Sequence, residues 1–258
     1  MTKIIALVDG SIYSQSVCDH SAWIAKQAGS AVEVLHVIGR RQTAGASANL
    51  SGNIALGART SLLEELTALD VQMAKLSQKR GRAILDDAKA SIEAAGVSKV
   101  VTRLRFGDIV ETVAECEPDA EVVVIGKRGE DADFAKLHLG SNLERIVRSC
   151  QMPVFVTSRA YRPIERFLIA YDGGTSSRKA VDHVAQSSLF SGLQCHLLTV
   201  GADTEQTRNG LDKARAILEG AGYEVAADII QGQPDRVISR VVKSEGIGLL
   251  VMGAYGHS

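Results

Sequence analysis

The sequence predicts an α/β protein made of two tandem domains, each with a parallel, doubly wound sheet. The first observation behind this prediction is an internal repeat, because residues 3–11 (KIIALVDGS) return as residues 166–174 (RFLIAYDGG). Such a repeat sets the domain count before single elements are assigned. The second observation is that short Val/Ile/Leu runs alternate with longer segments of helical periodicity. Near-continuous apolar strands with one helix between each pair are typical of parallel sheets covered on both faces.

The spacing of the repeat indicates which residues correspond. Asp9 and Asp172 are 163 positions apart, and so are Val37 and Val200, which end the next apolar run of each copy. The later segments VVVIGKRG and LLVMGAYG are only 127 positions apart. The first copy therefore carries about 36 extra residues, the difference between the two spacings, after its second strand.

The order of elements follows from these runs. In the first half we predict strands at 4–8, 32–37, 100–106, 122–126 and 153–157, and helices at about 14–28, 60–95, 108–117 and 140–150. The second half repeats the strand pattern with FLIAY, CHLLTV, VAADII and GLLVMG. We expect one domain at 1–158 and a second at 165–258, joined by a short hinge.

The extra residues predict a helical insertion at about 39–95. Residues 39–59, rich in Gly, Ala, Ser and Asn, indicate a loop, whereas 60–95 indicate one long helix or two helices broken near Gly81. A narrow apolar seam with 4-3-4-3 spacing runs along this segment: Leu62, Leu66, Leu69, Met73 and Leu76. Two interpretations stay open, since this helix either lies on its own domain or docks on the sister domain or on a second chain.

Composition narrows the class of protein. The 29 Lys and Arg residues balance 30 Asp and Glu residues, which gives no support for a nucleic-acid or membrane-surface partner. No apolar run approaches the ~20 residues of a membrane span, and the first apolar run reads as a strand and not as a signal peptide. The four cysteines form no CxxC pair. We therefore expect a cytoplasmic protein with buried, reduced thiols.

Candidate site residues lie at the predicted carboxyl ends of strands, where open α/β sheets bind ligands. Asp9 and Asp172 each follow the first strand of their domain. A carboxylate at this place accepts hydrogen bonds from a purine amino group or a ribose, or else it organises the start of the following helix. Both roles are compatible with the DGS and DGGTSS contexts.

A glycine-rich loop follows the fourth strand. Gly126 and Gly129 are followed, after ten intervening residues, by Gly140 and Ser141 at the start of a predicted helix. Glycines let backbone N–H groups approach an anion, and a helix start with a hydroxyl suits a phosphate. The first glycine pair recurs in the second copy as Gly253 and Gly256.

The pairing of VDGS with a GxxG…GS loop resembles the universal stress protein family, specifically its tandem two-domain members, over nearly the whole chain. The resemblance implies Rossmann-like domains of the adenine nucleotide alpha hydrolase-like (HUP) type with sheet order 3-2-1-4-5. It also implies an adenine nucleotide as the ligand. We expect ATP, with AMP or ADP as alternatives, and Mg²⁺ is a candidate companion of the nucleotide. By this resemblance Asp9 and Val37 hold the adenosine. By the same resemblance, the phosphates are bound by Gly126, Gly129, Gly140 and Ser141. The residues of the second domain that match the family motif are Asp172, Val200, Gly253 and Gly256.

Two departures from the family pattern stand out. The first loop has ten residues where the family has nine, and it carries Glu130, Asp131 and Asp133, which repel a triphosphate unless a divalent cation intervenes. The second motif stops at Ser258, before its third glycine, its phosphate-binding helix and its last strand. We therefore expect a second domain that is incomplete at its C-terminal end.

The chemistry of the chain favours binding over catalysis. No GxxxxGK[ST], GxSxG or HExxH motif occurs, His36 lies in an apolar strand, and no paired base and nucleophile is evident, so no reaction is assigned. We expect an ATP-binding stress-response sensor or adaptor whose two domains pack as a pseudo-dimer. A non-nucleotide interaction scaffold and a slow ATP hydrolase are the alternatives, and a homodimer or another protein partner is left open.

Overall fold

The computed structural model describes residues 2–39, 56–129 and 140–254, without the side chains of residues 56–62 and 141. Gly256, the acidic part of the first loop and most of the Gly/Ala/Ser/Asn-rich segment lie outside the described residues. The chain forms two compact units, Met1–Tyr161 and Arg162–Ser258.

The elements alternate between strand and helix in both units. The first unit contains β1 (Lys3–Leu7), α1 (Ser14–Ala28), β2 (Ala31–Ile38), α2 (Leu56–Ala94), β3 (Val100–Phe106), α3 (Ile109–Cys116), a 3₁₀ turn (Glu117–Asp119), β4 (Ala120–Gly126), α4 (Ser141–Ser149) and β5 (Val154–Thr157). The second contains β6 (Arg166–Ala170), α5 (Thr175–Gln186), a 3₁₀ turn (Ser188–Phe190), β7 (Gln194–Val200), α6 (Glu205–Gly220), β8 (Val225–Ile230), α7 (Pro234–Ser244) and β9 (Leu249–Met252).

Both sheets are parallel and share one topology. The first sheet has the order β3-β2-β1-β4-β5, which confirms the expected 3-2-1-4-5 arrangement. The described strands of the second sheet run β8-β7-β6-β9, the same order for its first four strands. In each sheet the strand order reverses beside the first strand, so the carboxyl ends of β1 and β6 lie at the place where such sheets bind ligands.

Helices cover both faces of the first sheet. One face is packed by α1 and α2, which contact each other, and the other by α3 and α4. Ile5, Leu35 and Val123 join Leu143 and Ile146 of α4 in one core cluster. Burial on two faces explains why these strands read as continuous apolar runs, and it fixes the strand ends that carry the candidate residues.

The inserted segment forms one continuous helix, α2, which begins at Leu56 and is not broken at Gly81. Gly81 is needed instead for close packing. A Cβ at this position would lie 2.8 Å from Leu104 Cδ1 and 2.9 Å from His36 Cδ2, so only glycine lets the helix approach the sheet this closely. The helix therefore meets its own domain from Gly81 onwards.

The N-terminal half of α2 does not bury its apolar seam. None of residues 63–80 is buried, and Leu69, Met73 and Leu76 are 55%, 51% and 60% exposed. The interpretation that α2 lies on its own domain is therefore wrong for residues 63–80. Leu62 belongs to the seam as well, but its side chain lies outside the described residues.

The two sheets carry a buried polar side chain at corresponding positions, but of different chemical type. Glu33 in β2 forms ion pairs with Lys3, at 2.7 Å, and with Arg103. Its counterpart 163 positions later is His196 in β7, whose two ring nitrogens face Asp228 at 3.0 Å and Glu245 at 3.2 Å. In each domain, two ionisable side chains thus partner the polar side chain that is buried in the sheet.

Within the described part of the chain, no helix combines the length and the apolar character that crossing a bilayer requires.

Candidate functional site

Asp9 organises the turn between β1 and α1. Its Oδ1 accepts a hydrogen bond from the backbone N–H of Ser11 at 3.0 Å and from the hydroxyl of Ser14 at 3.3 Å, and the N–H of Gly10 donates to the Ser14 hydroxyl at 3.0 Å. The carboxylate is half-buried at the end of the strand. These contacts engage one carboxylate oxygen in the turn and hold the side chain in a fixed direction.

The glycine loop of the first domain passes directly over Asp9. A Cβ at Gly129 would lie 2.9 Å from Asp9 Oδ2, so only glycine brings the loop backbone this close to the carboxylate. Gly140 closes the loop, because a Cβ there would lie 3.6 Å from the Gly129 nitrogen, and its own N–H donates to the Lys127 carbonyl at 3.4 Å. The predicted residues Asp9, Gly129 and Gly140 are thus brought together at one strand end.

The helix that follows this loop presents its N-terminus here. Gly140 is the N-cap residue of α4, and among the described residues no side chain caps this end. The first N–H groups of a helix carry partial positive charge and attract anions. Ser141 is the first residue of α4, but the position of its hydroxyl lies outside the described side chains.

Gly126 lies where β4 ends and allows a close contact with the start of α1. A Cβ there would lie 2.7 Å from Tyr13 Cβ. Val37 lies near the end of β2 and packs against the core cluster of α3 and α4.

The second domain repeats the aspartate turn with shorter hydrogen bonds. Oδ1 of Asp172 accepts from the Ser177 hydroxyl at 2.6 Å and from the Gly174 N–H at 2.8 Å. These two donors, the hydroxyl first, hold the pKa of the Asp172 carboxyl below its ordinary value. The carboxylate is exposed and ionised at neutral pH.

The glycine after β9 makes the same contact as Gly126. A Cβ at Gly253 would lie 2.5 Å from Ser176 Cβ, and Ser176 corresponds to Tyr13 at the repeat spacing of 163. Val200 ends β7 and packs on the core cluster of α7. Asp172, Val200 and Gly253 therefore occupy the places that their first-domain counterparts occupy, whereas Gly256 is outside the described residues.

A pocket of about 890 Å³ opens beside Asp172, between α5 and α6. Its buried lining includes Tyr171, Val181 and Thr199, and the charged residues Arg178 and Lys213 also line it. Among the described residues, the buried hydroxyl of Thr199 has no hydrogen-bond partner. A volume of this order suits a small organic ligand, since such pockets measure about 300–1,000 Å³.

Two side chains of the first domain, His36 and Ile84, lie near the position that corresponds to this pocket. His36 is the counterpart of Thr199 at the repeat spacing, and its Nδ1 lies 2.7 Å from the Val8 carbonyl. His36 is 7% exposed and is therefore buried in the sheet, as its place in an apolar strand suggests. Ile84 of α2 lies against Gly10, where a Cβ would come within 2.8 Å of its Cδ1. The two domains thus present similar strand ends beside different surroundings.

The serines that hold both aspartates were not among the predicted site residues. Ser14 and Ser177 each lie five positions after their aspartate and 163 positions from each other, so the repeat register could have identified them. Tyr13 and Ser176 follow the same spacing. Nothing in the sequence distinguishes Thr199, because its exposure to a pocket depends on how α6 packs.

Two comparisons of sequence place the chain among known proteins. The model of the Universal stress protein family matches residues 1–158. A universal stress protein of Synechocystis sp. is 37% identical over 261 residues, which cover 100% of this chain and 91% of that relative.

Two solved structures share the fold across most of the chain. A universal stress protein from Archaeoglobus fulgidus superposes with a TM-score of 0.72 at 20% identity. The match covers 97% of this chain and 86% of the Archaeoglobus chain. A universal stress protein from Pseudomonas aeruginosa superposes with a TM-score of 0.59 at 16% identity. The match covers 100% of this chain and 84% of the Pseudomonas chain.

Proposed function

The chain belongs to the universal stress protein family, and we propose that it binds adenine nucleotide, ATP in the first place, at the strand ends marked by Asp9 and Asp172. AMP and ADP are the alternative ligands. Binding would couple the nucleotide state of the cell to a stress response, with the protein acting as a sensor or adaptor. No residue pair supplies a reaction among the described residues, so the proposal is one of binding.

The observation that carries the proposal is the approach of Gly129 to Asp9. The loop backbone comes so close to Oδ2 that a Cβ would lie 2.9 Å away, which brings the loop backbone and a carboxylate side by side. A carboxylate accepts from ribose hydroxyls or a purine amino group, while backbone N–H groups donate to phosphate oxygens. Glycine at such a position is typical of loops that bring the backbone to an anion.

The residues fit a nucleotide in complementary parts. Asp9 and the backbone of Val37 would hold the adenosine, and Gly126, Gly129, Gly140 and the N-terminus of α4 with Ser141 would hold the phosphates. The matching second-domain residues are Asp172, Val200, Gly253 and Gly256. Mg²⁺ bound with ATP would offset the negative charge that Glu130, Asp131 and Asp133 bring to the first loop.

We also propose that the protein works in the cytoplasm. Cys18, Cys116, Cys150 and Cys195 are free thiols, and three of them are buried. Burial, together with nearby acidic groups at Cys18 and Cys150, raises the pKa of Cys18, Cys150 and Cys195 to about 12, which keeps these thiols protonated and unreactive. Free cysteines are the usual state in a reducing compartment.

The test is isothermal titration of the full chain with ATP, with and without Mg²⁺. We expect binding in the wild type and weaker binding in Asp9→Ala or Asp172→Ala, whichever domain is occupied. Gly129→Ala is a second variant for the first domain, since it leaves the hydrogen bonds of Asp9 in place and adds a Cβ where the loop meets Oδ2. An absence of heat change with millimolar ATP, ADP and AMP in the wild type would contradict the proposal.

An interaction scaffold is the second candidate, and a specific observation favours it. The N-terminal half of α2 exposes several apolar side chains, with Leu69, Met73 and Leu76 each more than half exposed. Exposed apolar stripes of this kind are typical of interaction sites. If no nucleotide binds, this surface is the functional feature that remains.

A further inference from the structure

The stripe on α2 consists of Leu66, Leu69, Met73 and Leu76. Leu66 is half-buried, and the other three are 55%, 51% and 60% exposed. Residues 63–80, none of which is buried, span about five helical turns and roughly 27 Å. The four stripe residues follow the a and d positions of a heptad pattern, which is the seam that a partner helix covers in a coiled coil.

Charge is distributed unevenly along this part of α2. Glu64, Glu65 and Asp70 lie in its first half, whereas Lys75, Lys79 and Arg80 lie in its second half. A parallel, in-register copy would place like charges opposite each other. An antiparallel copy places the acidic half of each helix opposite the basic half of the other.

We propose that the stripe is covered by a second copy of this chain, so that two α2 helices pack antiparallel about a two-fold axis near residues 71–72. An isologous contact requires a self-complementary surface, and in the antiparallel arrangement this stripe pairs apolar residues with apolar residues and Glu65 with Lys79. The proposal is independent of nucleotide binding.

The antiparallel register follows from the heptad positions. In such a pair, a positions meet d positions, so Leu66 faces Leu76 of the second copy and Leu69 faces Met73 of the second copy. Glu65 and Lys79 occupy flanking g positions on the same side of the stripe, so each Glu65 meets Lys79 of the second copy, twice by symmetry. Gln72 lies beside the axis and faces its own copy.

The size of the contact sets its expected strength. Stable complexes bury about 1,200–2,000 Å² in total and transient contacts bury less, and four partly exposed apolar side chains from each copy place this contact among the transient ones. We therefore expect a reversible dimer whose dissociation constant lies in the micromolar range and whose formation depends on concentration.

Analytical ultracentrifugation of the full chain, from about 1 µM to about 200 µM, spans the micromolar range expected for a contact of this size and measures the dimer. Leu69→Glu and Met73→Glu should each shift the protein to monomer throughout this range. Val71→Glu is the matched control, because Val71 is 49% exposed but lies on the opposite side of the helix, and this variant should still dimerise. Fluorescence of Trp23, the one tryptophan of the chain, verifies that each variant is folded.

Charge reversal and cross-linking test the register. Glu65→Lys or Lys79→Glu alone should weaken the dimer about 5–10-fold, since like charges then face each other, and the double variant should recover it. Gln72→Cys should cross-link to itself under mild oxidation, whereas Glu65→Cys should not, because antiparallel packing separates the two copies of residue 65.

Three results would overturn the proposal. A wild type that stays monomeric at the highest concentration would mean that another part of the chain or a different partner covers the stripe. A dimer that survives Leu69→Glu would have its interface elsewhere. Equal cross-linking of Glu65→Cys and Gln72→Cys would indicate a parallel pair.

Discussion

Gly81 offers a test of how α2 meets the first sheet. Replacing a helix-interior glycine by alanine ordinarily stabilises a protein by up to about 1 kcal/mol, because alanine has the higher helix propensity. At Gly81 the new methyl group would lie 2.8 Å from Leu104 Cδ1, 2.9 Å from His36 Cδ2 and 3.3 Å from Ile38 Cδ1. Leu104 is half-buried and can adjust, but the ring of His36 is held by its 2.7 Å contact with the Val8 carbonyl.

The two effects oppose each other, and their magnitudes decide the sign. Overpacking a core costs about 1–3 kcal/mol, which exceeds the gain from propensity. We expect Gly81→Ala to lower the free energy of unfolding of the first domain by up to about 2 kcal/mol. Gly210→Ala is the matched control, since Gly210 lies inside α6 and its new methyl group would have no other side chain within 4 Å. There the full gain of about 1 kcal/mol should appear.

Urea denaturation measures both changes. Trp23 lies in α1, so its fluorescence follows the first domain, whereas far-ultraviolet circular dichroism follows the helices of both domains. If Gly81→Ala stabilised the first domain as much as Gly210→Ala stabilises the second, α2 would not pack on the sheet at Gly81.

Three further predictions concern stability and pH. Glu33→Gln should lower the free energy of unfolding by about 1–2 kcal/mol in urea titrations, because the neutral side chain loses its ion pairs with Lys3 and Arg103, whose charges remain partly solvated. Arg215→Ala should change it little because its ion pair with Glu219 is exposed, and similar losses in both variants would contradict the role of Glu33. Burial, above all, lowers the pKa of His20, so the unfolded chain takes up a proton near pH 6.5 that the folded domain resists, and stability should fall as the pH drops below about 6.5. His20→Gln should make the free energy of unfolding less dependent on pH, as measured by urea denaturation followed through Trp23 fluorescence at several pH values. If the free energy of unfolding of His20→Gln fell with pH as steeply as that of the wild type, this role of His20 would be refuted. Ser177→Ala should raise the pKa of Asp172 towards its ordinary value in a carboxyl NMR titration, because the 2.6 Å hydrogen bond that lowers it is lost. Since the folded pKa of Asp172 is depressed, the stability that this bond contributes is present above the unfolded pKa and is lost as the pH falls through the folded pKa, so the wild type and Ser177→Ala should converge in acid.

The sheet order and the strand-end aspartates were predictable because they depend on local, repeated signals. Continuous apolar runs mark β1 and β6, and the DG dipeptide follows each of them at a fixed spacing. Family resemblance then supplied the order 3-2-1-4-5, which the first sheet confirms. Asp9 and Gly129 were both predicted as site residues from the sequence, and the structure shows in addition that they lie close together.

The behaviour of α2 was not predictable, because it depends on tertiary packing. Glycine in a helical pattern usually signals a break, but at Gly81 the helix continues and uses the missing side chain to approach His36. Likewise, the heptad seam indicates that Leu69 and Met73 share a face, but the sequence does not show that this face projects away from its own sheet.

The difference between the two domains was hidden for a similar reason. His36 and Thr199 stand at the same position of the repeat, and the sequence shows only the substitution. In the first domain α2 lies over His36, whereas in the second the space between α5 and α6 stays open over Thr199. The inserted helix α2, which the second domain lacks among its described residues, thus gives the repeated strand-end residues different surroundings in the two domains.

Whether these strand ends bind adenine nucleotide can be measured by mass spectrometry of the ligand released from freshly purified, denatured full-length protein. We expect ATP, ADP or AMP in a defined ratio to the chain, and a lower ratio in Asp9→Ala, in Asp172→Ala or in both. A chain that releases no nucleotide, and takes up none when incubated with millimolar ATP and Mg²⁺, would contradict it.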